Sequence, residues 1–268
     1  MERSQFIRLI EAKLAALPGK TALVARNLDT GESFAWREEE IFTPASTIKL
    51  PILCAAYYWA RQGVVSLDQR IAVREKDRVG GNGLLFEFGE GLEPTLLDLM
   101  TIMIVISDNM ATNLVMEAVG IDRIREFLEL SGLGVIRAER KMLDPEGLKR
   151  GLVNCVTARA LADILEGLAK GTLLDPEDCR GAVEILLRQQ CNNKMPTLVI
   201  DRWDLIFKRN KIRIAHKTGD MPGIEHDVGI VFLPDSRFVL VCLTEEVDNE
   251  KAIEWIAGIT KDFVEYFS

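Results

Sequence analysis

The chain has 268 residues, a formal net charge of −8 and 48% hydrophobic residues. This length fits one large domain or two small ones, and the apolar fraction is enough for a substantial core. The negative charge argues against a nucleic-acid partner, because such binding needs a basic surface. The five cysteines form no C-x-x-C pair, so we predict neither a disulfide framework nor a metal site, and no cofactor.

The predicted elements begin with a helix over residues 2–17, which a Pro-Gly pair ends. Two short strands, 21–28 and 32–36, flank the turn sequence DTG and predict a hairpin. The pattern is then mainly helical to about residue 203, with helices near 46–62, 95–106, 109–118, 121–131, 157–169 and 179–190. Strands return at 212–218, 226–233 and 237–244, and a helix over 249–267 follows.

Strands from both ends of the sequence therefore bracket a helical middle. We predict an α/β (α+β) fold with an antiparallel five-stranded sheet, flanked by the terminal helices and interrupted by an inserted all-α lobe. The single catalytic domain, 1–268, would consist of a sandwich lobe, 1–42 plus 205–268, and a helical insert, 43–204.

The first residues, MERSQFIRLIEAKLAALPG, carry charges throughout and lack the apolar stretch of a signal peptide. The longest apolar run, 96–106, contains Asp98 and is too short to cross a bilayer, so it predicts a buried helix. We expect no membrane span and a monomer. The protein would be cytoplasmic if this chain is full-length, and exported if a leader has been removed.

Residues 43–51, TPASTIKLP, place Ser46 and Lys49 three positions apart at a predicted helix start, on the same side. A serine hydroxyl is a poor nucleophile until a neighbouring group takes its proton. A lysine can take that proton only when it is neutral, which burial and nearby positive charge favour. We expect Lys217 to supply that charge. The pattern alone also describes a capped helix with a solvated lysine.

Two further triplets strengthen this interpretation. Residues 107–109 read Ser-Asp-Asn between two helical runs, and residues 217–219 read Lys-Thr-Gly at the end of a strand. For this composition Ser-x-x-Lys arises by chance about 0.4 times per chain, against about 0.02 and 0.05 times for the two triplets. The three patterns in this order indicate an acyl-transfer site.

Each residue type suits one step of acyl transfer. Ser107 would relay a proton to the leaving nitrogen, and Asn109 would donate to a substrate amide carbonyl. Lys217 and Thr218 would hold a substrate carboxylate through charge-assisted hydrogen bonds. The substrate expected from these roles is a small molecule with a peptide-like carbonyl.

Two backbone N–H groups, those of Ser46 and Asp220, would form an oxyanion hole. Gly219 would let a substrate approach the strand closely, because it has no side chain. A Ser-His-Asp hydrolase is the rival hypothesis. It is disfavoured because no serine lies in a G-x-S-x-G sequence, and because His216 alternates to the opposite sheet face from Lys217.

The ordered motifs resemble those of the class A β-lactamases and their penicillin-binding relatives. The resemblance covers most of the chain, including GGNG at 80–83 and HDVGIV at 226–231. It implies a serine hydrolase that forms a covalent acyl-Ser46 intermediate with a β-lactam or a peptidoglycan-like substrate. In it, Lys49 matches the activating lysine.

One stretch departs from that family, in which Arg-x-Glu-x-x-Leu-Asn carries the glutamate for deacylation. Here residues 139–154 read ERKMLDPEGLKRGLVN, and Met142 stands where the glutamate should be. Glu139, Asp144 and Glu146 are near but lack the right spacing. Deacylation would then be slow, which leaves two alternatives to a β-lactamase: a D-Ala-D-Ala peptidase or esterase, and a non-turnover sensor of β-lactams or muropeptides.

Overall fold

The computed structural model of the protein describes residues 1–89, 91–201, 204 and 211–268. The helices are α1 (Arg3–Ala16), α2 (Lys49–Arg61), α3 (Leu96–Val105), α4 (Asn109–Val119), α5 (Ile121–Leu130), α6 (Pro145–Lys149), α7 (Ala158–Lys170), α8 (Pro176–Leu186) and α9 (Asn249–Phe267). The strands are β1 (Lys20–Asn27), β2 (Ser33–Trp36), β3 (Arg137–Ala138), β4 (Asn154–Cys155), β5 (Arg213–Met221), β6 (Ile224–Phe232) and β7 (Arg237–Glu245).

The chain divides into two compact units. The sheet unit comprises Met1–Thr47, Thr157–Glu166 and Cys191–Ser268, and the helical unit comprises Ile48–Val156 and Gly167–Gln190. The predicted end of the helical run near residue 203, and residue 205 where the sandwich lobe was predicted to resume, lie outside the described residues.

The sheet unit contains an antiparallel five-stranded sheet in the order β2-β1-β7-β6-β5. The predicted fold class is thereby confirmed. The terminal helices α1 and α9 supply Phe6 and Phe263 to the same core as Leu240 of β7. Strand β5 lies at the edge of this sheet and pairs with β6 so that Gly219 faces His226.

The start of α2 differs from the prediction. Residues Ala45–Ile48 form a 3₁₀ turn, and the α-helix begins at Lys49 rather than at Ser46. Pro51 explains the difference, because proline lacks an N–H and is tolerated only in the first turn of a helix. A helix beginning at Ser46 would have placed Pro51 in its interior.

In the helical unit, side-chain caps fix several helix starts. Thr95 Oγ1 accepts the Asp98 N–H at 3.1 Å at the start of α3, whose apolar residues are buried as predicted. Helix α8 begins at Pro176 and not at residue 179, because Asp175 caps it and proline suits the first helical position.

Among the described residues, the structure has no helix with the length and apolarity to cross a membrane.

Candidate active site

Lys49 begins α2 and is fully buried. Its Nζ donates to the Ser107 carbonyl oxygen at 2.7 Å, to Ser107 Oγ at 3.0 Å and to Asn109 Oδ1 at 2.8 Å. None of these three acceptors carries a formal charge. The structure therefore brings together three predicted site residues, all within the helical unit.

Ser107 turns the chain between α3 and α4 with a left-handed backbone, at φ +57°. For a residue other than glycine this conformation costs about 1–2 kcal/mol, and it persists only where the surroundings hold it. Lys49 holds it here by binding both the carbonyl and the hydroxyl of Ser107. The turn and the lysine contact thus depend on each other.

Asp108, the middle residue of the second triplet, is a buried structural clamp. Its Oδ1 caps α4 by accepting the Ala111 N–H at 2.8 Å. Its Oδ2 accepts the N–H groups of Leu84 and Leu85 at 2.7 and 2.8 Å. A side chain at Gly83 would collide with this carboxylate, so the glycine is required there. The Asp108 carboxylate thus joins the first turn of α4 to the backbone of residues 84–85.

One face of α4 carries both asparagines that matter for the site. Asn109 Nδ2 donates to the Gly80 carbonyl at 3.2 Å while its Oδ1 accepts from Lys49. One helical turn on, Asn113 Oδ1 accepts the Met142 N–H at 2.7 Å, and Asn113 Nδ2 donates to the Met142 carbonyl at 3.1 Å. The backbone of Met142 is therefore fixed one turn along α4 from the residue that binds Lys49.

The three carboxylates near Met142 have local structural partners. Glu139 Oε2 accepts the Val153 N–H at 2.8 Å. Asp144 caps α6 by accepting the Gly147 N–H at 2.8 Å. Glu146 forms an exposed ion pair along the same helix. Each of these three carboxylates therefore has a structural contact that accounts for its presence without a catalytic role.

The segment that carries Ser46 packs on the end of β5 in the sheet unit. Its turn is closed by the Thr47 N–H and Oγ1, which donate to the Pro44 carbonyl at 3.0 and 2.6 Å. A methyl group added at Gly219 would lie only 3.0 Å from that carbonyl oxygen. Gly219 thus makes room for the close approach of residues 44–47. The sequence had predicted that this glycine makes room for a substrate.

His226 anchors the same segment. Its Nε2 lies 2.8 Å from the Thr43 carbonyl oxygen, and its Nδ1 lies 3.1 Å from the Thr244 nitrogen and 3.0 Å from the Glu225 carbonyl oxygen. Complete burial lowers the pKa of His226 to about 4, so the imidazole is neutral at physiological pH. This histidine has a structural role as a tether between β6 and the residues before Ser46.

Lys217 and Thr218 present two buried polar groups on β5. Lys217 Nζ donates to the Thr218 carbonyl at 2.9 Å. Burial lowers the pKa of Lys217 to about 8, so the cation persists near neutral pH but is easily lost above it. Thr218 Oγ1 is a buried hydroxyl with no hydrogen-bond partner among the described residues. Buried polar atoms are normally paired, so this hydroxyl calls for a ligand or a functional explanation.

A second buried lysine, Lys194, lies behind the end of β5. Its Nζ is 2.5 Å from Asp220 Oδ1 and 2.6 Å from Glu225 Oε2, and it donates to the carbonyls of Gly219 and His226 at 3.2 and 3.1 Å. Burial acts to lower the pKa of Lys194, but the surrounding carboxylates outweigh burial and hold it above its ordinary value. Lys194 is therefore a permanent cation.

His216 does not form a serine triad. Its Nδ1 lies 2.8 Å from Asp227 Oδ1, and its Nε2 lies 3.2 Å from Asn192 Oδ1. Both ring nitrogens thus face acceptors other than a serine hydroxyl. The arrangement fastens residues 191–195 to the sheet and gives no support to the Ser-His-Asp hypothesis.

The predicted site residues are distributed over both units. The sheet unit carries Ser46, Lys217, Thr218, Gly219 and Asp220, and the helical unit carries Lys49, Ser107 and Asn109.

Two residues with a role in the site, Asn113 and Lys194, were not predicted from the sequence. The four-residue spacing from Asn109 could have revealed Asn113, whereas no local pattern marks Lys194. Among the described residues, no group of His, Cys, Asp and Glu side chains could hold a metal ion.

The chain is similar to proteins of known class. Residues 5–267 match the model of the β-lactamase enzyme family. The β-lactamase of Rhodobacter capsulatus is 28% identical over 251 residues, which cover 82% of this chain and 78% of that protein. The crystal structure of a β-lactamase from Sphaerobacter thermophilus has a TM-score of 0.87 and 28% identity, covering 99% of this chain and 98% of the other. The structure of PBP-A has a TM-score of 0.86 and 25% identity, covering 99% and 96%.

Proposed function

Because the chain belongs to the β-lactamase enzyme family and is a serine β-lactamase-like hydrolase, we propose that it forms a covalent acyl-Ser46 intermediate with β-lactams or related amides. Ser46 Oγ attacks the carbonyl carbon as its proton passes to a neutral Lys49. The C–N bond then breaks, and Ser107 delivers a proton to the leaving nitrogen. The N–H groups of Ser46 and Asp220 stabilise the oxyanion.

The observation that carries this proposal is the binding of Lys49 to Ser107 and Asn109. A proton taken from Ser46 must travel from Lys49 to the leaving nitrogen, and the 3.0 Å bond between Lys49 Nζ and Ser107 Oγ supplies the next step of that route. A relay of this kind needs groups within about 2.6–3.2 Å of each other. Because Lys49 binds both the carbonyl and the hydroxyl of Ser107, the relay is set before substrate arrives.

Two buried polar groups of β5, the Thr218 hydroxyl and the Lys217 ammonium, support substrate binding by this strand. The unpartnered Thr218 hydroxyl and the buried Lys217 ammonium suit a carboxylate, which accepts hydrogen bonds from both. Asn109 Nδ2 has two N–H donors, of which one is directed to the Gly80 carbonyl at 3.2 Å, and the other suits a substrate carbonyl. These features favour a substrate with both a carboxylate and an amide.

We further propose that deacylation is slow. A water molecule needs a general base, and Met142, fixed by Asn113 one turn from Asn109, offers no titratable group. The local bonds of Glu139 and Asp144 keep both carboxylates in structural roles. This feature favours a second candidate, a D-Ala-D-Ala peptidase or esterase, over an efficient β-lactamase, and it also suits a non-turnover sensor.

Time-resolved mass spectrometry with a penicillin tests both halves of the proposal. We expect the protein to gain the mass of one penicillin, peptide mapping to place it on Ser46, and Ser46→Ala to remain unlabelled. The adduct should persist for many minutes. Absence of an adduct after long incubation of the wild-type protein would refute the acylation step, and rapid loss of the adduct would refute slow deacylation.

Turnover of three substrates separates the candidates. A chromogenic cephalosporin, a peptide ending in D-Ala-D-Ala and a simple ester should each be followed through several equivalents. Rapid release from the cephalosporin would identify a β-lactamase. Faster turnover of the peptide or the ester would identify the second candidate, and a single turnover with all three would identify a sensor.

A further inference from the structure

Lys194 touches one particular peptide group of β5. Its ammonium donates to the Gly219 carbonyl oxygen at 3.2 Å and lies 2.5 Å from the carboxylate of the next residue, Asp220. The lysine is fully buried, and its position is also fixed by Glu225 and by the His226 carbonyl. The Lys194 ammonium is thus held against the carbonyl side of the Gly219–Asp220 peptide.

The carbonyl of Gly219 and the N–H of Asp220 belong to the same peptide plane. A trans peptide is rigid, so its C=O and N–H point in opposite directions and turn together. A cation that fixes the carbonyl oxygen therefore also fixes the direction of the Asp220 N–H. That N–H is the second oxyanion donor of the proposed function.

We propose that Lys194 is a positioning residue that orients and polarises the Gly219–Asp220 peptide for oxyanion binding. The inference rests on the proposed function for its catalytic consequence, but not for the peptide contact itself. A positive charge at the carbonyl draws electron density through the amide, and hydrogen bonds in such chains strengthen one another. The Asp220 N–H becomes a stronger donor, and its direction is set before the reaction, as efficient oxyanion holes require.

The two carboxylates around Lys194 explain why this cation is reliable. A buried lysine without partners tends to lose its proton. Asp220 and Glu225 prevent that loss, at 2.5 and 2.6 Å from Nζ. The charge that polarises the peptide is therefore present over the whole working range of pH, and it does not depend on substrate.

Nuclear magnetic resonance can observe this peptide alone, because the sequence Gly-Asp occurs once in the chain, at 219–220. Protein labelled with ¹³C at glycine carbonyls and ¹⁵N at aspartate should give one correlated signal. In Lys194→Met we expect the carbonyl carbon and the amide proton of this signal both to move upfield. A second sample labelled with ¹⁵N at isoleucine instead of aspartate gives signals for the Gly-Ile pairs, and that of 258–259 in α9 reports on global folding and should not move.

Acylation by a penicillin provides the functional readout for the same variant. We expect the acylation rate constant to fall about 10- to 100-fold, in line with the loss of part of one oxyanion donor, while the dissociation constant of the non-covalent complex changes less than threefold. Lys13→Met is the matched control, since it removes a lysine paired with Asp262 on the terminal helices. It should leave the signal and the rate unchanged.

Lys194→Met leaves two carboxylates unpaired and could fail to fold. Lys194→Met/Glu225→Gln removes the more buried of them, and Glu225→Gln alone is its control. An unmoved Gly219–Asp220 signal in a folded Lys194 variant overturns the inference, as does a moved signal with unchanged acylation. If the wild-type protein forms no adduct, the proposed function fails, while the labelled signal still tests the peptide contact.

Discussion

Two buried lysines of this protein have opposite surroundings. The three acceptors of Lys49 described above are neutral oxygens, from a serine hydroxyl, a backbone carbonyl and an asparagine amide. Lys194 contacts two carboxylates in addition to two carbonyls. Carboxylates hold a lysine proton, whereas neutral oxygens orient the amine without that charge. These contacts place neutral oxygens beside the lysine proposed as a base and carboxylates beside the lysine proposed as a fixed cation.

The largest effect should come from removing the proposed base. In Lys49→Met we expect acylation by a penicillin to slow by about 10³-fold or more, because the proton of Ser46 loses its acceptor. The measurement is the rate of adduct formation by mass spectrometry or stopped-flow fluorescence.

Lys13→Met, which removes a surface-paired lysine of the sheet unit, is the control for losing any lysine and should acylate normally. A Lys49→Met rate within tenfold of wild type would show that the neutral surroundings of Lys49 serve structure and not proton transfer.

A carboxylate can be introduced at Met142, whose backbone Asn113 fixes one turn along α4 from the asparagine that binds Lys49. Met142→Glu places one on the loop fixed by Asn113, and we expect deacylation to accelerate by about 10²-fold as the glutamate activates water. The lifetime of the acyl-Ser46 adduct measures this effect.

Met142→Gln has nearly the same shape and no titratable group, so its adduct should live as long as that of wild type. Equal adduct lifetimes in the Met142→Glu and Met142→Gln variants would contradict the assignment of Met142 to the position of the deacylating base. The proposed acylation chemistry would not be affected.

Much of this comparison was accessible from the sequence. The antiparallel sheet follows from the hairpin signal at 21–36 and the three later strands, and the residues that bind Lys49 follow from one rare triplet. The start of α2 at Lys49 and not at Ser46 also has a local signal, because Pro51 lacks an N–H and belongs in the first turn of a helix.

Other features have no local signal. The left-handed backbone of Ser107 exists because Lys49 and Asp108 hold it, and both contacts join segments far apart in sequence. Lys194 resembles any other lysine until residues 219–226 are folded around it. Strain and buried charge depend on tertiary contacts, which neither periodicity nor composition encodes.

A charge can also be introduced directly on an acceptor of Lys49. Asn109→Asp keeps the shape of the side chain and converts a neutral oxygen into a carboxylate, which holds the proton on the lysine. We expect acylation near neutral pH to slow about tenfold and to recover as the pH is raised, because more of the lysine then loses its proton. Asn109→Leu also loses the amide donor but should show no such recovery. Identical pH profiles for the two variants would contradict the role given to neutral partners.

The smallest effect concerns Lys217, a third fully buried lysine, which donates to the Thr218 carbonyl at 2.9 Å. Burial lowers its pKa to about 8 from an ordinary value of 10.5, so the cation is present below pH 8 and is lost as the pH rises through 8. The kcat/KM for acylation by a substrate with a carboxylate should therefore fall about fivefold between pH 8 and 9, since this quantity reports the free enzyme. A substrate ester without the carboxylate is the control and should show no fall over the same interval. A decline shared by both substrates would assign the titration to another group, such as the proton-transfer residues, and would remove Lys217 from carboxylate binding.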